Sequence, residues 1–219
     1  MIELKLINKS YGNQKILDKI SLNIKKGEFI SIVGPSGAGK TTLLNIIGTI
    51  EDFDKSKKSK FLINSQDVTK LSDKNLSKFR NDNIGFVFQF HQLLPELTVE
   101  ENILLPTMIK GDEKDSFDKY FIELISILGI DSILNKYPNS ISGGERQRAA
   151  VARAMINKPG ILLADEPTGN LDSKNEEEII SLFKKVNKDL GVTIVLVTHN
   201  HNFSKLADKC FSLRDGKWF

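Results

Sequence analysis

Gly34-Pro35-Ser36-Gly37-Ala38-Gly39-Lys40-Thr41 constrains this chain more than any other stretch. It matches GxxxxGK[ST] and lies between the apolar run Phe29–Val33 and a helix-like segment, the context that motif requires. Glycines here let the backbone curl so that successive N–H groups point inward as an anion nest. The following helix adds its positive N-terminal end. Lys40 supplies a point charge for the β- and γ-phosphates of a nucleotide. Thr41 supplies a hydroxyl for Mg²⁺, which takes oxygen ligands and keeps water. A flexible glycine turn is the plainer alternative, and the strand–helix context argues against it. Gly34 to Thr42 is the first candidate site.

The rest of the chain reads as α/β. Near-continuous apolar runs at Phe29–Val33, Ile161–Ala164 and Thr193–Thr198 suit strands buried on both faces, as in a parallel sheet. Ile84–Phe88 and Cys210–Leu213 also read as strands. Ile2–Ile7 and Ile20–Ile24 alternate apolar and polar residues, as half-exposed antiparallel strands do. Helix starts are marked by S/T-x-x-E capping boxes at Thr98–Glu101, Ser142–Glu145 and Ser173–Glu176. Phe117, Phe121, Leu124, Ile125 and Leu128 share one helical face, and Gly129 is a stop. Ile179, Phe183, Val186 and Leu190 repeat the pattern. Residues 91–157 read as a helical insertion, and Lys55–Lys60 as a solvated basic loop.

Composition narrows the class. A net charge of +3 gives no large one-signed field, so nucleic acid is not expected as the main partner. The lone Cys210 excludes an intramolecular disulfide and a thiolate metal cluster, and a reducing compartment fits. The start, MIELKLINKSY, has charges where an export signal needs an apolar stretch. The longest run without Asp, Glu, Lys or Arg is Leu190–Ser204, shorter than the roughly 18 apolar residues of a membrane span. Any membrane role is expected to come through a partner.

Two further motifs complete the chemistry. The apolar run Ile161–Ala164 ends in Asp165-Glu166, which places Asp165 beside the metal and Glu166 where it polarises water for attack on the γ-phosphate. Ser142-Gly143-Gly144 is a serine cap with two glycines, a helix start bare enough for close approach to an anion. An ordinary cap is the plainer reading. With one phosphate loop already present, a second such start implies a second nucleotide face. Two copies placed head to tail would each present it to the other's γ-phosphate.

This pattern resembles the ATP-binding cassette ATPases over essentially the whole chain. The resemblance implies a P-loop NTPase (RecA-like) core with an N-terminal antiparallel β subdomain and an inserted α-helical subdomain. Residues 1–219 would form one nucleotide-binding domain, with 1–90 and 158–219 as core and 91–157 as the helical part. It implies that Tyr11 stacks on adenine and that Gln89 links metal and attacking water to the helical part. It implies that Gly169-Asn170-Leu171-Asp172 crosses a dimer interface and that His199 contacts the γ-phosphate. Phe88-Gln89-Phe90-His91-Gln92-Leu93-Leu94-Pro95, Glu101-Asn102 and Gly143-Gly144-Glu145-Arg146-Gln147-Arg148 are similar to the lipoprotein-releasing (LolD-type) and macrolide-exporter (MacB-type) branch. The chain departs from that pattern at Asp52–Lys60, where lysines and serines replace a proline–glycine turn, and in a short stretch between Tyr11 and Ile16.

The implied cofactors are ATP and Mg²⁺. The implied partners are a second copy and an integral membrane permease, docked after Gln89 near Phe90, Leu93 and Leu94, at the cytoplasmic face of the inner membrane. Core packing would also account for those three side chains. An ATP-driven transport motor leads. An ATP-operated switch acting on a membrane partner without transport, as in cell-division (FtsE-type) relatives, reads identically at the ATP site. A soluble repair or translation ATPase is a third reading, although the long coiled coils or second cassette of those relatives are not seen in the sequence.

Overall fold

The computed structural model describes residues 1–111, 118–169, 173–199 and 204–219. The elements in chain order are β1 (Ile2–Tyr11), β2 (Gln14–Ile24), β3 (Phe29–Val33), α1 (Lys40–Ile47), β4 (Lys60–Ile63), β5 (Gln66–Asp67), α2 (Asp73–Asn83), β6 (Ile84–Val87), α3 (Val99–Lys110), α4 (Asp118–Leu128), α5 (Gly143–Met155), β7 (Ile161–Asp165), α6 (Ser173–Leu190), β8 (Thr193–Thr198), β9 (Lys209–Arg214) and β10 (Lys217–Trp218). They build two sheets, β2-β1-β4-β5 and β10-β9-β3-β8-β7-β6. The first is antiparallel throughout. The second is parallel apart from the short β10.

Period-two alternation gives the parallel sheet two buried faces. Leu162, Ala164, Ile194 and Leu196 pack with Ile103 of α3, Val151 of α5 and Phe183 of α6. Ile161, Leu163, Val195 and Val197 point the other way, onto Leu43, Leu44 and Ile47 of α1 and Ile2 and Leu22 of the antiparallel sheet. Neither face of β7 or β8 meets water, which is why their sequences are apolar without a break. The basis for fixing α1 is therefore burial between two sheets.

Helix boundaries follow local chemistry. Thr98 and Ser142 each close a full capping box, with Glu101 and Glu145 respectively. Gly111, Gly129 and Gly191 follow α3, α4 and α6 with φ of 80°, 62° and 64°. Phe117 and the Ser173 side chain lie outside the described residues.

Four elements were not expected from the sequence. β4 and β5 are too short to show a period, and β10 has two residues. α2 has no buried residue and is rich in Lys, Asp and Asn. It forms because Ser72 caps it through the Asn75 amide, while Leu76 and Phe79 lean on the core. β1 and β2 run longer than expected, to Tyr11 and from Gln14, because bulges in β1 break the alternation the eye looks for. Lys55–Ser59 is an exposed loop, as expected, and Lys60 opens β4.

Candidate active site

Neighbouring strands deliver the candidate residues along one edge of the parallel sheet. β3 leads into Gly34, β8 into His199 and β7 into Glu166, with Asp165 its last residue; two residues past β6 comes Gln89. Ligands of open parallel sheets bind beyond these carboxyl ends.

The phosphate loop needs glycine for two separate reasons. A Cβ on Gly34 would stand 2.1 Å from the Leu213 carbonyl oxygen, so only glycine lets the chain leave β3 this close to β9. Gly37 and Gly39 have φ of 80° and 97°, left-handed backbone that glycine adopts without strain. Gly39 caps α1 without a side-chain bond, and the first turn of α1 carries no acidic residue. Its amides are thus left for an external anion. The Lys40 Nζ donates to the carbonyls of Gly34 at 2.8 Å and Pro35 at 3.0 Å, which tethers the ammonium over the loop.

The Thr41 hydroxyl donates to Asp165 Oδ1 at 3.2 Å, so the two expected cation ligands are neighbours. Among the described residues no group of three His, Cys, Asp or Glu side chains is arranged for a metal. A cation at Thr41 and Asp165 would therefore complete its shell with phosphate oxygens and water, the habit of Mg²⁺. Burial pushes the Asp165 carboxyl above the usual carboxylate range; Glu166 adds to this, while Thr41 and Lys40 oppose it. A carboxyl raised in the folded state binds protons more tightly there than in the unfolded chain. Its stability contribution is present at low pH and is lost as pH rises through the folded value. Asp165→Asn is therefore expected to raise the nucleotide-free melting temperature at neutral pH by about 2–4 °C. Scanning calorimetry with and without the substitution checks this; an unchanged or lower value would remove the carboxylate as a cost to the fold.

Glu166 sits at φ 44°, a left-handed conformation unusual for this residue type. Two backbone bonds hold it: its amide donates to the Val197 carbonyl at 2.9 Å, and the Gly169 amide donates to its own carbonyl at 3.0 Å. Its carboxylate Oε2 lies 2.9 Å from His199 Nδ1 and accepts from the His199 amide at 3.2 Å. The strained turn thus aims Glu166 at the end of β8. Gln89 lies against the turn that follows Glu166, since a Cβ on Gly169 would come within 2.8 Å of its Nε2. Asn170, Leu171 and Asp172 lie outside the described residues.

Tyr11 is half exposed, and its hydroxyl donates to Glu51 Oε1. That bond, with burial, raises its pKa against a contact from Thr42 of α1, which places the ring beside the phosphate loop. Lys9 pairs with Glu51 at 2.9 Å and stands 4.9 Å from the ring centroid.

Ser142 bonds with Glu145, not with the phosphate loop: its amide donates to Oε2 at 2.7 Å and its hydroxyl accepts from the Glu145 amide at 3.2 Å. Those bonds hold Glu145 below the usual carboxylate range. One chain therefore joins Thr41 to Asp165 and Glu166 to His199 and sets Gln89 against Gly169, while Ser142 is engaged by Glu145 at the head of α5.

Sequence reasoning gave no role to Asn102 or Arg153. Asn102 is fully buried and exchanges bonds with the backbone of Leu94, 2.7 Å from the Leu94 amide and 3.0 Å to its carbonyl. Arg153 donates to the carbonyls of His91 and Gln92. Neither stands out in the sequence: Asn102 directly follows Glu100 and Glu101, and Arg153 shares its segment with Arg146 and Arg148.

The family model for ABC transporters matches residues 17–169. The lipoprotein-releasing system ATP-binding protein LolD of Bacteroides thetaiotaomicron is 47% identical over 99% of this chain and 98% of its own length. The dimeric cassette MJ0796 of Methanocaldococcus jannaschii, an ABC transporter cassette, superposes with a TM-score of 0.87 at 42% identity, over 100% of this chain and 96% of that one. Its structure in a post-hydrolysis state with ADP and Pi gives a TM-score of 0.87 at 41% identity, over the same shares of 100% and 96%. Likeness this close over the full length leaves one assignment: the chain belongs to the ABC transporter family, as an ATPase cassette.

Proposed function

We propose that two copies of the chain close head to tail on two Mg²⁺–ATP molecules and thereby drive a membrane permease of the lipoprotein-release type. The observation that carries this is the Glu166–His199 contact beside the Thr41–Asp165 pair, with Ser142 engaged by Glu145 in its own chain. A γ-phosphate held by one copy's loop then meets Ser142-Gly143-Gly144 only from a second copy. The dimeric relatives and LolD-type resemblance support the same arrangement.

In this reading the Gly34–Thr42 amides and Lys40 hold the phosphates, and Tyr11 holds the base. Thr41, Asp165 and Gln89 would hold Mg²⁺, which would supply positive charge against the phosphates. Glu166 accepts the proton of a water whose oxygen bonds to the γ-phosphorus, and the bond to the β–γ bridging oxygen breaks to give ADP and phosphate. Lys40, Gln89, His199 and the partner's serine helix stabilise the charge spread over the γ-oxygens. ADP and phosphate then repel each other across the seam, and the dimer opens.

The permease supplies the path, because no helix among the described residues is long and apolar enough to cross a membrane. Residues 91–157 would act as the helical subdomain that receives it. A groove of about 480 Å³, lined by Phe86, Phe88, Gln92, Ile109 and Arg153, and the exposed Phe90 suit an apolar segment of such a partner. The chain would lie on the cytoplasmic face of the inner membrane. The test is reconstitution with the co-purified permease in vesicles bearing an acylated protein. ATP is expected to release that protein, and Glu166→Gln to stop the release. ATP turnover without release, with the partner confirmed, would favour the switch reading instead.

A further inference from the structure

The turn just after Gln89 has an unfavourable shape, closed by its own His91 amide–Phe88 carbonyl bond at 3.2 Å and braced from outside. His91 and Gln92 are consecutive non-glycine residues at φ 54° and 49°. Side chains of these types rarely stay in that region unless neighbours enforce it. The enforcing group is on α5. Arg153 donates from Nη1 to the Gln92 carbonyl at 2.6 Å and from Nη2 to the His91 carbonyl at 2.7 Å. One planar fork thus takes both carbonyls of the strained pair, a geometry that lysine does not offer. Arg153 is partly buried and has no carboxylate partner among the described residues. Its charge is compensated by those two carbonyl dipoles, and burial lowers its pKa.

The same turn also touches the other end of α5. The His91 ring bonds to the Gly143 backbone beside Ser142 and faces Arg146. One strained turn therefore joins three things: Gln89 upstream, the serine-capped head of α5, and the groove that Gln92 and Arg153 both line.

We propose that Arg153 is a positioning residue for ATP hydrolysis: its guanidinium keeps the His91–Gln92 turn left-handed, and so sets Gln89 against the metal and the attacking water. This rests on the ATPase reading above. Without the fork the turn relaxes to ordinary backbone and Gln89, two residues before it, moves off its mark. ATP binding at Gly34–Thr42 and Tyr11 is expected to hold, because the bonds that fix Lys40 and Tyr11 run to Gly34, Pro35 and Glu51 and not to the turn.

The experiment measures steady-state hydrolysis by the purified full chain against ATP and, separately, against Mg²⁺, with melting temperature alongside. Arg153→Ala is expected to lower kcat about 10–100-fold and raise the Mg²⁺ needed for half-maximal rate, with KM for ATP within about twofold. Arg153→Lys, which can reach one carbonyl, should fall between. The decisive variant adds Gln92→Gly to Arg153→Ala. Gln92 is exposed, and glycine holds a positive φ without help, so the strain at 92 is relieved while that at His91 remains, and part of the lost kcat should return. A role in packing alone predicts a lower melting temperature that glycine does not repair. The proposal is overturned if kcat of Arg153→Ala stays within twofold of wild type, or if Gln92→Gly restores nothing. Should Arg153→Ala not fold, the same comparison on Arg153→Lys decides. If wild type shows no Mg²⁺-dependent turnover that Glu166→Gln abolishes, it is the ATPase reading that fails, a separate result.

Discussion

Glu166→Gln is expected to bind ATP as wild type does and to lose turnover by about 10²–10⁴-fold, the usual worth of a positioned general base. The amide matches the carboxylate in shape. It can still accept the His199 amide at the distance Glu166 does, 3.2 Å, and the two backbone bonds that set φ at 44° do not involve the side chain. Folding and nucleotide affinity should therefore hold, and only proton acceptance is lost. With hydrolysis stopped, ATP stays in the seam and a dimer should accumulate on gel filtration in ATP while ADP gives monomer. Turnover within tenfold of wild type would take Glu166 out of the chemistry, and the strained turn would then need another explanation.

Ser142→Asp separates the cap of α5 from its effect on the partner copy. Aspartate caps helices as well as serine does, so α5 should start where it now starts and the melting temperature should hold within a few degrees. The new carboxylate, however, would face the γ-phosphate bound by the other copy. Like charges forced together at an interface cost several kcal/mol, and each 1.36 kcal/mol is tenfold. Loss of ATP-dependent dimer and a drop in turnover of roughly a hundredfold or more are expected, with ATP affinity of the single chain unchanged. Ultracentrifugation in ATP reads the first, and a dimer of wild-type stability would contradict the head-to-tail arrangement. Alanine at this position would be a poorer test, because it would also weaken the helix cap.

The sequence was most legible where one physical demand acted alone. β7 and β8 are buried on both faces, and their unbroken apolar runs say so. The phosphate loop is legible because its close backbone approach and left-handed turns admit only glycine. Where demands were shared among distant residues, little could be read. Gln66–Asp67 becomes a strand only because β4 lies beside it. α2 looks like a polar loop because its hold on the core rests on two partly buried side chains, Leu76 and Phe79. His199 at a strand end says nothing by itself. Its meaning comes from Glu166, which is distant in sequence and joined to it only when β7 and β8 pair. Tyr11 was identified by resemblance, and its tether to Glu51 was invisible, since no local pattern links the end of a strand to the segment after α1. Arg153 was hidden in an ordinary run of alanines and arginines.

The order of the parallel sheet carries a consequence for how the protein is made. β3 and β7 are not neighbours; the slot between them belongs to β8, Thr193–Thr198. During synthesis both must therefore wait, each with at least one unpaired edge, until Thr193–Thr198 has left the ribosome. Such far-apart pairings are slow to nucleate and exposed to aggregation meanwhile. A nascent chain that stops short of Thr198 lacks the strand that sets β3 beside β7, so Gly34 and Asp165 are not yet held in register with each other.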